Sequence, residues 1–285
     1  MKKNILFTIV CLSLFCQSSF SQEIPRLGIA SSAVNDSILY SSGYSLIGES
    51  VSRMVSPRLS EVQFENNIRI VKGLKCHVYM CNVFFPADIK LVGPDLDEKR
   101  VLSYADTVFK RASILGVSAI VLGSGGPRRL PEGYDREVAT REFVALSKQL
   151  AQVAAKYNVK VFLENLNSTE TNFITSLKDA AQVVRSVNHP NFRLNADIYH
   201  MMKESESPQS IIDAGEIIEY CEIAEKEART YPGFKGDDFV PYLKALKQIG
   251  FKGHIFIEGR WTDLKTEAPI AKAYLERQLK VAYQD

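Results

Sequence analysis

Residues 193–201 read R-L-N-A-D-I-Y-H-M, and the reading of this stretch decides how the rest of the chain is understood. Side chains on a strand alternate between faces, so Arg193, Asn195 and Asp197 share one face of a short buried strand. Asp197 stands where the apolar run stops, and His200 follows three residues later. A carboxylate and an imidazole are poor core material and good site material. The plainer alternative is an aspartate that caps a turn beside a satisfied histidine. Three other predicted strands tip the balance, because each also ends in a carboxylate: Glu164, Glu222 and Glu258.

Outward from this stretch, short apolar runs alternate with helical periodicity. Strands are predicted at 26–30, 44–48, 75–85, 118–122, 159–163, the opening stretch, 217–224 and 253–257. Helices are predicted at 35–41, 60–72, 98–115, 135–157, 176–187, 208–214, 237–249 and 262–282, with 50–58 a long loop. Leu177, Ala180, Ala181 and Val184 illustrate the spacing that marks one face of a helix. Eight strands alternating with helices over about 260 residues match the size and order of a (β/α)8 TIM barrel. The competing fold is an open doubly wound sheet, but the first strand lacks a glycine fingerprint. No composition break divides the chain, so residues 22–285 are expected to form one domain.

The first 21 residues are expected to be a signal peptide. Lys2 and Lys3 precede an apolar run over 5–15, and Ser18, Ser19 and Ser21 follow. Cleavage after Ser21 would start the mature chain at Gln22 and send it to the periplasm or the medium. The run is too short to span a bilayer stably, so no membrane insertion is expected after cleavage. Cys16 raises a lipid anchor as an alternative, which the bulky Phe15 before it disfavours. Cys76, Cys81 and Cys221 remain in the mature chain and read as small buried hydrophobes. Cys76 and Cys81 fall on opposite faces of one strand and cannot readily bond.

Composition narrows the partners. The chain is 46% hydrophobic and 24% charged with a formal net charge of +2. That balance, without basic runs, argues against nucleic acid or an acidic membrane surface. The oligomeric state stays open, with a dimer and a tetramer both allowed.

In such a barrel the active site lies at the C-terminal strand ends. Those ends carry Glu49, Asn82, the loop G-S-G-G-P-R-R over 123–129, Glu164, Asp197 with His200, Glu222 with Glu225, and Glu258. Alternation places Phe162 with Glu164, Tyr220 with Glu222, and Phe256 with Glu258 on shared faces. Four inward carboxylates cannot all stay ionised without a counter-charge. A divalent cation is the economical answer, and oxygen-only ligands favour Mg2+, Mn2+ or Ca2+ over Zn2+. The bland alternative pairs each acid with an arginine: Arg128, Arg193, Arg229 or Arg260. His77 and His254 begin strands and His189 lies before one, so only His200 is available on the active face. The glycine loop lacks the Lys-Ser/Thr of a phosphate-binding loop and reads better as a turn shaping the rim. Phe84, Tyr199 and Trp261 are placed near the mouth, where aromatic rings suit stacking on a sugar.

Several segments in order resemble the sugar phosphate isomerase/epimerase family, the xylose isomerase-like barrels that include D-tagatose 3-epimerase. They are F-L-E-N-L-N-S-T-E (162–170), N-A-D-I-Y-H-M (195–201), D-A-G (213–215), R-T-Y-P-G (229–233), G-D-D-F (236–239) and I-F-I-E-G-R (255–260). The resemblance implies that Glu164 and Glu258 bind a metal, Mn2+ or Mg2+, and act as the catalytic proton-transfer pair. It implies Asp197 as a third ligand, His200 as a donor to substrate oxygens, and Glu170 and Arg229 as substrate contacts. Strand seven departs from the family: where an H-x-H histidine ligand is usual, this chain has Tyr220-Cys221-Glu222. Glu222 is either a replacement ligand or the mark of a weakened metal site.

The expectation is an exported isomerase or epimerase that moves a proton beside the carbonyl of a free sugar or ketosugar. Export sets it apart from sugar phosphates, which are expected inside the cell. The rivals are a non-catalytic carbohydrate-binding barrel and a metal-dependent lyase or hydrolase acting on a modified glycoside.

Overall fold

A computed structural model describes residues 23–284; the expected signal peptide, with Cys11 and Cys16, lies outside them. Eight parallel strands close into a barrel in sequence order, β1 to β8. They are β1 Leu27–Ala30, β2 Leu46–Ser50, β3 His77–Asn82, β4 Ala119–Leu122, β5 Lys160–Glu164, β6 Phe192–Asp197, β7 Ile218–Ile223 and β8 His254–Ile257. Pairing of Gly28 with Phe256 is part of the seam that joins the last strand to the first. Closure removes every sheet edge, so the backbone groups of all eight strands find partners inside the ladder.

The helices are α1 Asp36–Ser41, α2 Val51–Met54, α3 Glu61–Gly73, α4 Glu98–Leu115, α5 Arg136–Lys156, α6 Leu177–Val187, α7 Ile198–Lys203, α8 Gln209–Ala214, α9 Val240–Gln248 and α10 Leu264–Tyr283. Each of the long ones starts where a side chain can satisfy free amides. Ser60 and Gln63 form a reciprocal capping box on α3. Asp97, Asp135, Ser176 and Asp263 cap α4, α5, α6 and α10. The predicted apolar stripe of α6 is buried against the barrel. The expected loop over 50–58 contains α2 instead, a four-residue turn of helix after β2.

The barrel interior is filled, not hollow. Phe162 and Tyr220 stack with centroids 5.1 Å apart, and Phe256 lies 5.2 Å from Tyr220. Met80, Val121 and Leu46 complete this apolar layer. Gly28 makes room for it, since a Cβ there would lie 2.4 Å from the Phe256 ring. Below the layer, towards the N-terminal ends, Glu219 pairs with Lys160 and Arg193. Arg193 is therefore tied to the base of the barrel and takes no part in the chemistry above.

The three cysteines are free and buried, as their reading as hydrophobes requires. No helix among the described residues is long and apolar enough to cross a membrane.

Candidate active site

One layer above the aromatic floor, each strand from β5 to β8 delivers a carboxylate at or just past its end: Glu164, Asp197, Glu222 and Glu258. The alternation that points Phe162, Tyr220 and Phe256 inward carries on two residues to Glu164, Glu222 and Glu258. One oxygen of each of the four lies within 4.8 Å of the others. Glu164, Asp197 and Glu222 are buried, and Glu258 is half-buried. Glu164 and Glu258 come from the first and last of these four neighbouring strands.

The Asp197 side chain divides its work. Its Oδ1 accepts from the His200 amide at 3.0 Å and caps α7. Its Oδ2 is buried without a hydrogen-bond partner. The strand end is held in place by Asn165, whose side chain accepts from the Asp197 N–H at 3.0 Å and donates to the Asp197 carbonyl at 3.2 Å. Glu222 is fully buried; Asn195 donates to its Oε2, and the Tyr220 hydroxyl lies 3.3 Å from its Oε1. Asn82 donates to Glu258 Oε1 at 2.6 Å.

Gly123 follows β4 and touches Glu164 so closely that a Cβ there would lie 1.7 Å from Glu164 Oε2. The rest of its loop is anchored to the neighbouring loops. Ser124 Oγ accepts from the Phe85 amide, Arg128 donates to the Glu164 carbonyl, and Arg129 donates to the Glu170 carbonyl. Arg128 is buried, which pulls its guanidinium down to about 10, and it binds backbone carbonyls, not the carboxylates.

Among the described residues, one arginine forms ion pairs with this cluster. Arg229 pairs with Glu258 Oε2, lies 3.5 Å from Asp197 Oδ2 and 3.6 Å from Glu170 Oε1, and sits over the Tyr199 ring at 4.7 Å. Ala228 and Arg229 both have positive φ, 56° and 54°, a strained arrangement that turns the guanidinium back over the mouth. One guanidinium cannot balance four carboxylates. Burial, then Glu258, Glu164 and Asp197, push Glu222 well above the ordinary carboxylate range. Burial also raises Glu258, against the pull of Arg229, to about 7. Burial disfavours a charge on His200, but Asp197 and Glu164 outweigh it and raise its pKa.

The residues fit a divalent cation. The donor set is oxygen-only, Asp197 Oδ2 has no hydrogen-bond partner, and the acids outnumber the cationic groups paired with them among the described residues. His200 offers a competing set with Glu164 and Asp197.

Most of the sequence-derived residues meet here: Glu164, Asp197, Glu222, Glu258, His200, Arg229 and, at the rim, Glu170. Glu49 and Glu225 do not. Glu49 accepts from the Ala33 amide at 2.9 Å and pairs with Arg53. Glu225 accepts from the amides of Gly233, Lys235 and Gly236 and folds the loop after β7. Phe84 is core, stacked on Phe85 at 4.0 Å, and takes no part in the mouth. Trp261 stacks on Tyr231 at 5.4 Å, while Tyr199 remains partly open beside Arg229. The segments that hold Asn165, Asn167 and Gly123 stand out in the sequence, but the particular roles of these three residues do not: Asn165 holds the Asp197 backbone, Asn167 meets His200, and Gly123 clears Glu164.

Comparison with known proteins gives a consistent picture. The model of the xylose isomerase-like TIM barrel family matches residues 54–279. An L-ribulose 3-epimerase of Methylomonas sp. (strain DH-1) is 35% identical over 116 residues, which cover 40% of each chain. A 3-dehydro-D-guloside 4-epimerase of Escherichia coli (strain K12) is 26% identical over 195 residues, 64% of this chain and 71% of the relative. The chain thus spans about two-fifths of the first of these relatives and more of the second. The solved structure of an L-ribulose 3-epimerase superimposes with a TM-score of 0.77 at 22% identity, covering 91% of this chain and 96% of that one. At that identity the likeness is one of fold.

Proposed function

Given that this chain belongs to the xylose isomerase-like TIM barrel family, we propose that it is an exported sugar epimerase or isomerase. It would take a free sugar or ketosugar and move a proton on the carbon beside the carbonyl. The observation that carries this reading is the convergence of Glu164, Asp197, Glu222 and Glu258 within 4.8 Å, with Asp197 Oδ2 buried and without a hydrogen bond. The relatives named as epimerases of unphosphorylated sugars support the substrate class.

These four carboxylates would hold Mn2+ or Mg2+, which would polarise the carbonyl and adjacent hydroxyl of the sugar. Glu164 and Glu258, from the first and last of the four strands, are the proton-transfer pair. One carboxylate takes the proton from carbon, and the other returns one from the opposite face when the configuration inverts. Burial raises Glu258 to about 7 in the metal-free site; a bound cation would lower it and leave the carboxylate ready to accept a proton. Arg229 and Glu170 orient hydroxyls at the rim, and Tyr199 offers a ring face to the sugar. The partner is a small molecule; nothing in the charge pattern invites nucleic acid.

The test is deuterium wash-in from D2O across a panel of ketoses and 3-keto glycosides with Mn2+ supplied. Exchange at a carbon next to the carbonyl, lost in Glu164→Gln and Glu258→Gln, is the expected result. Sugar binding with no exchange on any of them would assign a carbohydrate-binding barrel instead, and a cleaved glycosidic bond would assign a lyase or hydrolase. Export is checked by sequencing the mature N-terminus from a periplasmic or medium fraction, with Gln22 expected first.

A further inference from the structure

We propose that Asn167 locks His200 in the tautomer with its proton on Nε2, making His200 a donor to a substrate oxygen and barring it from the metal ligands. The proposal deepens the function given above and rests on it only for what receives that proton.

Three groups fix the direction of the buried Asn167 amide. Its Oδ1 accepts from the Thr169 backbone N–H at 3.0 Å and from the Thr169 hydroxyl. Its Nδ2 donates to Glu170 Oε1 at 3.3 Å. A backbone N–H can only donate and a carboxylate oxygen only accepts, so a flipped amide would face like against like at both ends. The atom 2.8 Å from His200 Nδ1 is therefore Nδ2, a donor. That leaves Nδ1 as the acceptor, without a proton. A neutral imidazole with a bare Nδ1 carries its hydrogen on Nε2.

Nε2 is buried, and its nearest acceptors, Glu164 Oε1 at 3.3 Å and Asp197 Oδ2 at 3.6 Å, are both in poor hydrogen-bond geometry. A donor held so loosely beside the catalytic carboxylates is placed to turn to an oxygen that arrives with the substrate. The same polarity settles the choice between the two candidate metal sets. A metal-binding histidine gives its other ring N–H to an acceptor. His200 instead faces a donor, so ligation through Nε2 would press a proton on Nδ1 against the Asn167 N–H. The four carboxylates remain as the ligand set.

The chain contains four histidines, His77, His189, His200 and His254, so a nitrogen-15 histidine-labelled sample gives a simple long-range proton–nitrogen spectrum. Untagged protein is measured with Mg2+ at pH about 7.5, above the ordinary histidine range, and His200 is assigned by difference from His200→Gln. The expected signal is a neutral ring protonated at Nε2 and bare at Nδ1. A proton on Nδ1, a doubly protonated ring, or a metal-shifted Nε2 overturns the proposal. In Asn167→Asp a carboxylate faces Nδ1, and the proton should move there. On any ketose that the wild type exchanges, kcat should then fall by about tenfold or more with KM little changed. An Asn167→Asp spectrum still showing Nε2–H with bare Nδ1 also overturns it, and if that variant does not fold, the wild-type spectrum decides alone. Absence of exchange on every ketose, with the Nε2 tautomer intact, retires the enzyme reading and leaves the lock standing.

Discussion

Gly123→Ala is the sharpest probe of the site, because one methyl group is aimed at one carboxylate. The alanine Cβ would lie 1.7 Å from Glu164 Oε2 and 2.7 Å from Glu164 Cδ. Non-bonded carbon and oxygen approach to about 3.4 Å at closest, so the carboxylate must retreat by about 1.7 Å. The backbone gives no other reason for cost, since Gly123 is not among the glycines with positive φ. At such a position glycine to alanine is neutral or stabilises by about 0.4–1 kcal/mol through the unfolded chain. Displacing a catalytic group by about 1 Å costs about 100-fold in rate, or about 2.7 kcal/mol of transition-state stabilisation.

The expected signature is a fold that stands and a site that fails. Metal-free Gly123→Ala should melt within a few degrees of the wild type. Its added stabilisation by Mn2+ should shrink or vanish, and calorimetric Mn2+ affinity should drop by about tenfold or more. On any ketose that the wild type exchanges with D2O, kcat/KM should fall by about 100-fold. Mn2+ affinity and exchange both within about twofold of wild type would show that Glu164 tolerates displacement. The convergence of carboxylates would then not be what the chemistry uses.

Three further outcomes are expected. Glu222→His replaces an oxygen donor with nitrogen, so in competition calorimetry the preference should move from Mn2+ towards Zn2+ by about tenfold or more; an unchanged ratio would remove Glu222 from the ligand set. Burial and neighbouring carboxylates raise Glu258 from 4.5 to about 7, so over that range the folded, metal-free chain binds more protons than the unfolded one and loses stability as pH rises. Mn2+ displaces those protons, so the increase in melting temperature it causes should grow as pH climbs through about 7, and a flat profile would contradict this. Glu225→Ala should cost about 1–3 kcal/mol in urea unfolding and expose the loop after β7 to protease, because the amides of Gly233, Lys235 and Gly236 lose their acceptor; Mn2+ affinity should hold within about twofold, since Glu225 lies outside the carboxylate cluster.

The barrel was legible because buried parallel strands write themselves as short apolar runs, and period-2 alternation extends to the residue after the run. That is how Phe162 and Phe256 foretell the inward direction of Glu164 and Glu258. Helix α2 was not legible, because four residues after Ser50 are too few to show any periodicity. Glu49 and Glu225 show a deeper limit. An acid at a strand end looks the same in sequence whether it points into the mouth or turns to collect backbone amides. Only the fold of the following segment separates the two: Arg53 of α2 turns back onto Glu49, and the amides of Gly233 and Gly236 turn back onto Glu225. Asp197 could not have been sorted either, because it does both, one oxygen to each task.

The asparagines are where physical reasoning from sequence runs out and the structure adds most. An asparagine beside a strand end is ordinary turn material. Here Asn165 grips the Asp197 backbone, Asn195 grips Glu222, and Asn167 turns its donor face to His200. Each acts through the polarity of one amide, and for Asn165 and Asn167 the group acted on lies 32 or 33 residues along the chain. This bears on the departure at β7. A histidine ligand needs an acceptor behind its second ring nitrogen, whereas Glu222 is met by a donor, the Asn195 amide. Its surroundings are therefore suited to a carboxylate. A histidine placed there would meet the Asn195 N–H unless the amide turned over. Glu222→His paired with Asn195→Asp should accordingly bind Zn2+ more tightly than Glu222→His alone, and equal affinity in the two variants would show that Asn195 does not prepare the ligand.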